Sequence, residues 1–212
     1  MEEIPQLILV DKPKGITSFD VIRRLRRKHN IRKMGHSGTL DPNASGLLLI
    51  GVGQGTKELK NLIGLPKTYI AEILLGVRTD TGDIDGKILE TKEVGALSSN
   101  ELQKVLANLV GTVALPVPIF SAVKQKGKPL YKRAYKGQEV VPPIKEMKVF
   151  SAEIESFDLP IVTIVFDVGS GTYIRSLAEE IGRQLGTVAT LKNLRRTRIG
   201  EYLIEGAEKL DN

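Results

Sequence analysis

The sequence predicts a protein of the α+β class, because short apolar and β-branched runs typical of strands recur between segments with helical periodicity. Its 212 residues are 41% hydrophobic and 26% charged, which is typical of a globular protein with one substantial core or two small ones. No internal repeat, low-complexity tract or clear linker interrupts the chain. We therefore expect one domain over residues 1–212, with a division into two lobes as an open alternative.

The first part of the chain predicts a strand, a basic helix and a second strand. Residues 7–10 are continuously apolar, as in a buried strand. Ser18 can cap a helix over residues 18–29, whose last turn is basic. Residues 47–50 predict a second buried strand, and Thr56 can cap a short helix after it.

The middle of the chain predicts two strands and a capped helix. Residues 69–76 read as a strand, and residues 79–86 have the Thr, Asp and Gly content of a long turn into a short strand at residues 88–89. Ser98 and Glu101 match a capping box that opens a helix with a regular apolar face.

The last part of the chain predicts a pair of strands and a helix. β-branched runs at residues 149–154 and 161–168 are joined by a short turn that contains Pro160. A helical apolar face follows and ends at Gly186, and a final apolar and basic segment closes the sequence.

A glycine-rich loop at residues 35–46 carries the strongest indication of chemistry. It reads Gly-His-Ser-Gly-Thr-Leu-Asp-Pro-Asn-Ala-Ser-Gly, and its three glycines allow backbone angles and close approaches that other residues do not. Pro42 restricts Asp41 to an extended or turn conformation that can present its carboxylate. Asp41 is therefore the candidate reactive group, although the same residue types also make ordinary turns.

Composition limits the chemistry that is available. The sequence has no cysteine and only two histidines, which excludes thiol nucleophiles and disulfides and argues against an ordinary zinc site. It has no run of about 18 apolar residues and no signal peptide at its start, so we expect a cytoplasmic protein without a membrane segment. Catalysis, if present, would depend on carboxylate, hydroxyl, Lys or Arg groups.

The positive charge is concentrated in three blocks that contain no acid. The formal net charge is +6, and the blocks lie at residues 21–33, 121–136 and 192–198. Two tyrosines, Tyr131 and Tyr135, interrupt the second block. Such blocks are typical of polyanion binding, and the alternative for each block is a solvated protein face.

Ordered motifs along most of the chain resemble the bacterial tRNA pseudouridine-55 synthases of the TruB family. Asp-Lys-Pro-Lys-Gly-Ile-Thr-Ser at residues 11–18 is similar to the opening motif of that family, and residues 35–42 are similar to its catalytic loop. Further similar segments are Tyr69 with residues 79–83, residues 121–124 with residues 127–131, residues 171–177 and residues 194–197.

The resemblance implies a pseudouridine synthase fold, with a mixed, largely antiparallel sheet flanked by helices. It also implies an isomerase that converts uridine 55 of the tRNA T-loop to pseudouridine after base flipping, with no cofactor and no metal. A glycosidic bond that breaks builds positive charge on the sugar, and a carboxylate can stabilise or attack that carbon. Whether Asp41 forms a covalent adduct or removes a sugar proton stays open.

Roles for the other site residues follow from the same resemblance. Arg175 would pair with Asp41, Tyr69 would stack on the flipped uracil, and Leu194 would line the pocket. His36 would contact RNA where the base leaves its stack, and Lys12 is a further pocket-side candidate. The alternatives are a surface arginine, a core tyrosine, a core leucine, a structural histidine and a solvated lysine.

The implied partner is the T-arm stem-loop of tRNA, bound by a monomer with no protein partner. The residues expected to bind RNA are basic or aromatic members of the three blocks: Arg23, Arg26, Arg27, Arg32, Lys33, Lys124, Lys126, Lys128, Tyr131, Arg195 and Arg196. Many members of the family continue into a small C-terminal RNA-binding domain, which we expect this shorter chain to lack.

Two other interpretations remain at this point. A guide-dependent synthase of the archaeal and eukaryotic type would share the catalytic loop, but residues 15–18 and 127–131 favour the stand-alone type. A non-catalytic RNA-binding protein would not need Asp41, Tyr69 and Arg175 together.

Overall fold

The structure of the protein is a computed structural model that describes residues 4–125 and 127–210. The chain divides into two compact units, one made of residues 1–70 and 194–212 and the other of residues 71–193. The sequence predicts a single catalytic domain over residues 1–212. That stays a prediction, because the presence of two compact units does not show whether they function as one domain.

The described residues form strands and helices that alternate along the chain. The strands are β1 (Leu7–Lys12), β2 (Met34–His36), β3 (Ser45–Val52), β4 (Lys67–Leu75), β5 (Val77–Thr79), β6 (Ile88–Thr91), β7 (Gly111–Pro116), β8 (Lys124–Gln125), β9 (Lys128–Pro129), β10 (Ile144–Asp158), β11 (Ile161–Val168), β12 (Ala189–Ile199), β13 (Tyr202–Leu203) and β14 (Glu208–Lys209). The α-helices are α1 (Ser18–His29), α2 (Leu59–Gly64), α3 (Ser99–Leu109), α4 (Leu130–Ala134) and α5 (Ile174–Gln184), with 3-10 turns at Gly53–Lys57 and Ile204–Gly206.

The first unit is a mixed sheet in the order β14-β1-β3-β12, followed by the first residues of β4, with β2 beside β3 and β13 beside β12. β1 and β3 are antiparallel, with Val10 opposite Leu48. β3 and β12 are parallel, with Ser45 opposite Arg195. This parallel contact brings the third basic block beside the end of the glycine-rich loop.

Strand β3 is buried on both faces, which explains its continuous apolar sequence. On one face Leu48 and Ile50 pack in a core with Leu25 of α1. On the other face Leu47 and Leu49 belong to a second cluster of buried side chains. The loop that precedes β3 is therefore attached to the rigid centre of this unit.

The strand order in the second unit is β12-β4-β11-β10-β7. Only residues 189–193 of β12 and residues 71–75 of β4 belong to this unit. β10 pairs antiparallel with β11 and with β7, and two hairpins, β5-β6 and β8-β9, are also antiparallel. Helix α3 packs on β10, and α5 packs on β7 and α3. These pairings confirm the predicted α+β class with a mixed, largely antiparallel sheet.

The helix predicted from Ser18 is present, but its cap is the preceding residue. Thr17 Oγ1 accepts from the Asp20 amide at 3.0 Å, and the Asp20 carboxylate accepts from the Thr17 amide at 2.8 Å. Ser18 is buried and binds Leu40 instead. The prediction of the helix is confirmed and the prediction of its cap is wrong, because adjacent hydroxyls compete for one capping position.

Of three other element predictions, one is confirmed, one is wrong and one is extended. Ser98 and Glu101 form the predicted capping box of α3. Thr56 does not cap α2, since its hydroxyl donates to Gly53 O at 2.8 Å inside the 3-10 turn. Strand β10 is much longer than predicted, because its charged residues alternate with buried ones such as Met147 and Val149.

Along residues 4–125 and 127–210, none of the helices is long and apolar enough to cross a membrane.

Candidate active site

The glycine-rich loop connects β2 to β3 in the first unit, and two of its glycines are required by geometry. Gly38 and Gly46 have φ of +135° and +107°, in the region that L side chains rarely adopt. A Cβ on Gly46 would lie 2.2 Å from the backbone oxygen of Arg196. Glycine at position 46 therefore allows β12 to pair directly against the end of the loop.

Backbone hydrogen bonds hold this loop at several positions. The Ser37 amide donates to Leu49 O at 3.0 Å, and the Ala44 amide donates to Asp41 O at 3.0 Å. Pro42 O accepts from the Gly15 amide at 2.9 Å, so the opening motif of the sequence is bonded to the loop. Asp41 is half-buried and is the first residue of the turn that the bond from the Ala44 amide closes.

Lys12 ends β1 and is fully buried, which excludes the solvated-lysine alternative. Its Nζ donates to the carbonyl oxygens of Pro13, Ile16 and Pro42 at 2.8, 2.7 and 3.1 Å. Burial lowers the pKa of Lys12 from 10.5 to about 8, while Asp41 opposes the fall and Arg196 adds to it. Lys12 is thus a buried cation that binds the loop directly after Asp41.

Arg196 requires a correction to the predicted RNA-binding set. Its side chain is only 1% exposed, and a phosphate cannot reach a guanidinium at that depth. Its Nε donates to Leu47 O at 2.7 Å, and its Nη2 donates to Gly38 O at 3.2 Å. Strand alternation is the reason, since successive residues of β12 point to opposite faces.

The neighbouring Arg195 keeps a partly exposed side chain. It forms an ion pair with Asp11, with 2.7 Å between Nη2 and Oδ2, and its side chain is 38% exposed. Leu194 is half-buried one position earlier on β12, and Tyr69 lies on the buried side of β4 with 8% exposure.

His36 is half-buried at the end of β2 and already has a structural partner. Its Nδ1 accepts from the Gly38 amide at 3.3 Å. Burial lowers the pKa of His36, and the charge of Arg196 lowers it further. A neutral imidazole in this place fits the structural alternative, and a contact with RNA stays a prediction.

In the second unit, Arg175 is buried and held by several oxygen atoms. Its Nη1 donates to Thr81 O at 2.9 Å, and its Nη2 donates to Phe120 O at 3.2 Å. Asp83 Oδ2 lies 3.6 Å from Nη1. With 7% exposure, Arg175 is not the surface arginine of the alternative interpretation.

The turn at residues 79–86 provides two partners of Arg175, the Thr81 carbonyl and the Asp83 carboxylate. The sequence analysis did not identify Asp83 as a partner of Arg175. Thr81 Oγ1 donates to Asp83 Oδ1 at 2.6 Å, which orients the carboxylate. A Cβ on Gly86 would lie 2.2 Å from Thr81 Oγ1, so the turn closes tightly. The available signal was the acid that ends the Thr-Asp-Thr-Gly-Asp motif at residues 79–83, which the sequence analysis used as a turn and as a segment similar to the family, without a role for Asp83.

The remaining RNA-binding candidates differ in exposure. The candidates that are exposed are Arg23, Arg27, Arg32 and Lys33 in the first unit and Lys124 and Lys128 in the second unit. Arg26 is half-buried and donates to Met34 O at 3.1 Å, and Arg23 pairs with Asp20. Tyr131 is half-buried with its ring edge toward Tyr135, and Lys126 lies outside the described residues.

No group of three or more His, Cys, Asp or Glu side chains that could hold a metal ion is found in the part of the chain that the structure describes.

One testable consequence concerns Gly46. Gly46→Ala should lower the free energy of unfolding by at least about 2 kcal/mol, because the new Cβ meets the backbone of β12 and not a flexible side chain. Gly53→Ala is the matched control, since Gly53 also has a positive φ but has open space where a Cβ would lie. Urea unfolding of both variants measures the difference, and equal losses would contradict the close approach.

Comparisons with known proteins agree with this geometry. The family described as "TruB family pseudouridylate synthase (N terminal domain)" matches residues 26–174. The chain is 44% identical to tRNA pseudouridine synthase B of Caldicellulosiruptor saccharolyticus, over 97% of this chain and 71% of that protein. It is 40% identical to tRNA pseudouridine synthase B of Geobacter sulfurreducens, over 96% of this chain and 67% of that protein.

The fold is also similar to a solved structure. A chain of a Cbf5-Nop10-Gar1 complex superposes with a TM-score of 0.74 at 28% identity, over 96% of this chain. This chain spans about half (52%) of the length of that chain. The fold and the loop define a pseudouridine synthase. The chain belongs to the TruB family of pseudouridylate synthases.

Proposed function

We propose that this protein isomerises uridine to pseudouridine in tRNA, at position 55 of the T-loop. The observation that carries the proposal is the braced Asp41 loop, in a chain whose relatives are named tRNA pseudouridine synthase B. The reaction takes place on the T-arm bound to a monomer in the cytoplasm.

Asp41 supplies the reactive carboxylate. Cleavage of the N-glycosidic bond leaves positive charge on the sugar, which Asp41 stabilises by attacking C1′ or by removing a sugar proton. The detached uracil then turns and forms a bond from C5 to C1′, while the bond between Asp41 and C1′ breaks or the removed sugar proton returns. C5 loses its proton to solvent, and N1, released from C1′, takes up a proton. No atom is gained or lost, so the reaction is an isomerisation.

Arg175 is the charged partner that orients the Asp41 carboxylate when RNA is bound. A buried guanidinium needs several oxygen partners, and Thr81, Phe120 and Asp83 supply them in the second unit. Pairing of Arg175 with Asp41 is part of this proposal. Tyr69 stacks on the flipped uracil, Leu194 lines the pocket, and His36 lies against the RNA.

The exposed basic residues hold the backbone of the T-arm on either side of the flipped nucleotide. Phosphate contacts fix position and carry little sequence information, so specificity comes from the shape of the T-loop. Arg27, Arg32, Lys33, Lys124 and Lys128 are exposed and are the residues that we assign to this task.

The proposed phosphate contacts of the first basic block, residues 21–33, can be tested with a double variant. Arg27→Gln with Lys33→Gln should raise KM without changing kcat. It should also reduce the slope of log Kd against log salt by about 1.5, since each lost contact releases one counterion fewer. Lys60→Gln with Lys104→Gln is the control, because it removes the same charge at exposed sites outside the blocks. An unchanged slope in the first variant would show that residues 21–33 are a solvated face.

The guide-dependent type is the second candidate function, favoured by the structural similarity to the chain from the Cbf5-Nop10-Gar1 complex. The higher identity to the tRNA enzymes favours the stand-alone type. An assay with the protein alone separates them. A T-arm hairpin labelled with tritium at C5 of uridine should release tritium without guide RNA or partner protein. Release that occurs only after a guide RNA is added would reject the stand-alone function.

A further inference from the structure

Two buried polar side chains bind the backbone of the Asp41 loop, and the reaction proposed above does not account for them. Ser18, the first residue of α1, is 2% exposed, and Arg196, in the middle of β12, is 1% exposed. Burying a hydroxyl and a guanidinium costs free energy unless their hydrogen bonds are well placed. Their partners are therefore informative.

Ser18 binds a single loop residue twice. Its Oγ accepts from the Leu40 amide at 2.9 Å and donates to Leu40 O at 3.1 Å. Leu40 is the residue directly before Asp41, and its side chain is buried. A hydroxyl that bonds both the amide and the carbonyl of one residue fixes the peptide planes on both sides of that residue.

Arg196 binds one residue inside the loop, Gly38, and one residue directly after it, Leu47 of β3. Its Nε reaches Leu47 O at 2.7 Å, and its Nη2 reaches Gly38 O at 3.2 Å. A rigid planar guanidinium that holds two carbonyls fixes the distance between them, which a flexible ammonium does not do. Asp41 lies between these two attachment points in the sequence.

We infer that Ser18 and Arg196 are positioning residues that hold the backbone on both sides of Asp41 and so aim its carboxylate at the sugar of the target nucleotide. The inference rests on the proposed function. It also replaces the phosphate-binding role that the sequence suggested for Arg196. Neither residue touches the RNA, and both act through the loop.

A reactive carboxylate must be held in the correct position relative to the atom that it acts on. A displacement of about 1 Å from the productive geometry costs on the order of a hundredfold in rate, even when the reactive group itself is intact. Loss of a positioning contact should therefore reduce the rate of the chemical step. RNA binding should stay constant, because the exposed basic blocks are unchanged.

Two variants outside the predicted RNA-binding set provide matched controls. Thr17→Ala removes a hydroxyl that caps α1 and does not contact the loop, whereas Ser18→Ala removes a hydroxyl that does. Arg183→Lys breaks a planar double contact with Glu180 at a side chain that is 72% exposed on α5, whereas Arg196→Lys keeps the buried charge and loses its planar double contact. Each pair compares the same chemical change away from the loop and at the loop.

The experiment measures single-turnover rate and RNA affinity for all four variants on a tritium-labelled T-arm hairpin. Ser18→Ala and Arg196→Lys should lower the rate by about tenfold to a hundredfold while Kd changes by less than about twofold. Thr17→Ala and Arg183→Lys should keep the rate within about twofold of the parent. A change in Kd and in its salt dependence for Arg196→Lys, at constant rate, would restore the phosphate-binding role and overturn the inference.

Hydrogen exchange at Leu40 gives a readout that does not depend on activity. The Leu40 amide should exchange at least about tenfold faster in Ser18→Ala than in the parent or in Thr17→Ala, because its acceptor is removed. Unchanged exchange would overturn the inference even if the parent is active. An inactive parent with slow Leu40 exchange would instead reject the proposed function, and with it any positioning role in catalysis. If Arg196→Lys does not fold, Ser18→Ala decides the result.

Discussion

Asp41→Asn should lower the single-turnover rate by at least about a thousandfold, which corresponds to about 4 kcal/mol of activation free energy. The amide has nearly the shape of the carboxylate, but it neither attacks a sugar carbon nor removes a sugar proton. The loop that carries it should keep its conformation, since its contacts are made by Ser18, Lys12 and Arg196 with backbone atoms.

Affinity for RNA is the internal control of this experiment. Binding of the T-arm hairpin should stay within about threefold of the parent, because the proposed function assigns Asp41 to the transition state and the basic blocks to ground-state binding. Asn43→Ala is a suitable control variant, since Asn43 is exposed in the same loop. A rate for Asp41→Asn within about tenfold of the parent, only ~1.4 kcal/mol, would rule out an essential carboxylate.

Arg175→Lys should lower the rate by about a hundredfold or more with little change in RNA affinity. Lysine keeps the charge but presents a single ammonium in place of a planar fork. It cannot serve Thr81 O, Phe120 O and the Asp83 carboxylate with the same geometry. In the proposed pairing, Asp41 would then lose its oriented charged partner.

Arg78→Lys is the matched control for this substitution. Arg78 lies in the same unit and pairs with Glu90 at 3.1 Å, with both side chains 44% exposed, so the change should be nearly neutral. The single-turnover rate and the Kd for RNA should be measured for both variants, because a contact made in the transition state changes the rate and not ground-state binding. A parent-like rate for Arg175→Lys would contradict the proposed pairing.

Much of the fold follows from patterns that are local in sequence. The capping box at Ser98 and Glu101 and the alternating run of β11 are predicted at the positions that the structure shows. The basic segment at residues 192–198 is not predicted as a strand, because charged residues mask its alternation. Its burial depends on pairing with β3, which is distant in sequence.

The same limit applies to the candidate site. Asp41 can be chosen from its own loop, because glycines and a proline mark that loop locally. Three features of the site depend on contacts between segments that are distant in sequence. They are the burial of Arg196, the hydrogen bonds of the Ser18 side chain with Leu40, and the ion pair of Asp83 with Arg175. Charge alone places Arg195 and Arg196 in one group, whereas the strand directs them to opposite faces.

The central claim is tested most directly by the position of the product in intact tRNA. A tRNA transcript labelled with tritium at C5 of uridine should release one equivalent of tritium with the parent protein, and pseudouridine should map to position 55 by sequencing after carbodiimide treatment. A transcript with cytidine at position 55, and the Asp41→Asn variant on the unchanged transcript, should release none. Release from the cytidine transcript equal to that from the parent transcript would contradict the account, since the target would then lie elsewhere in the RNA.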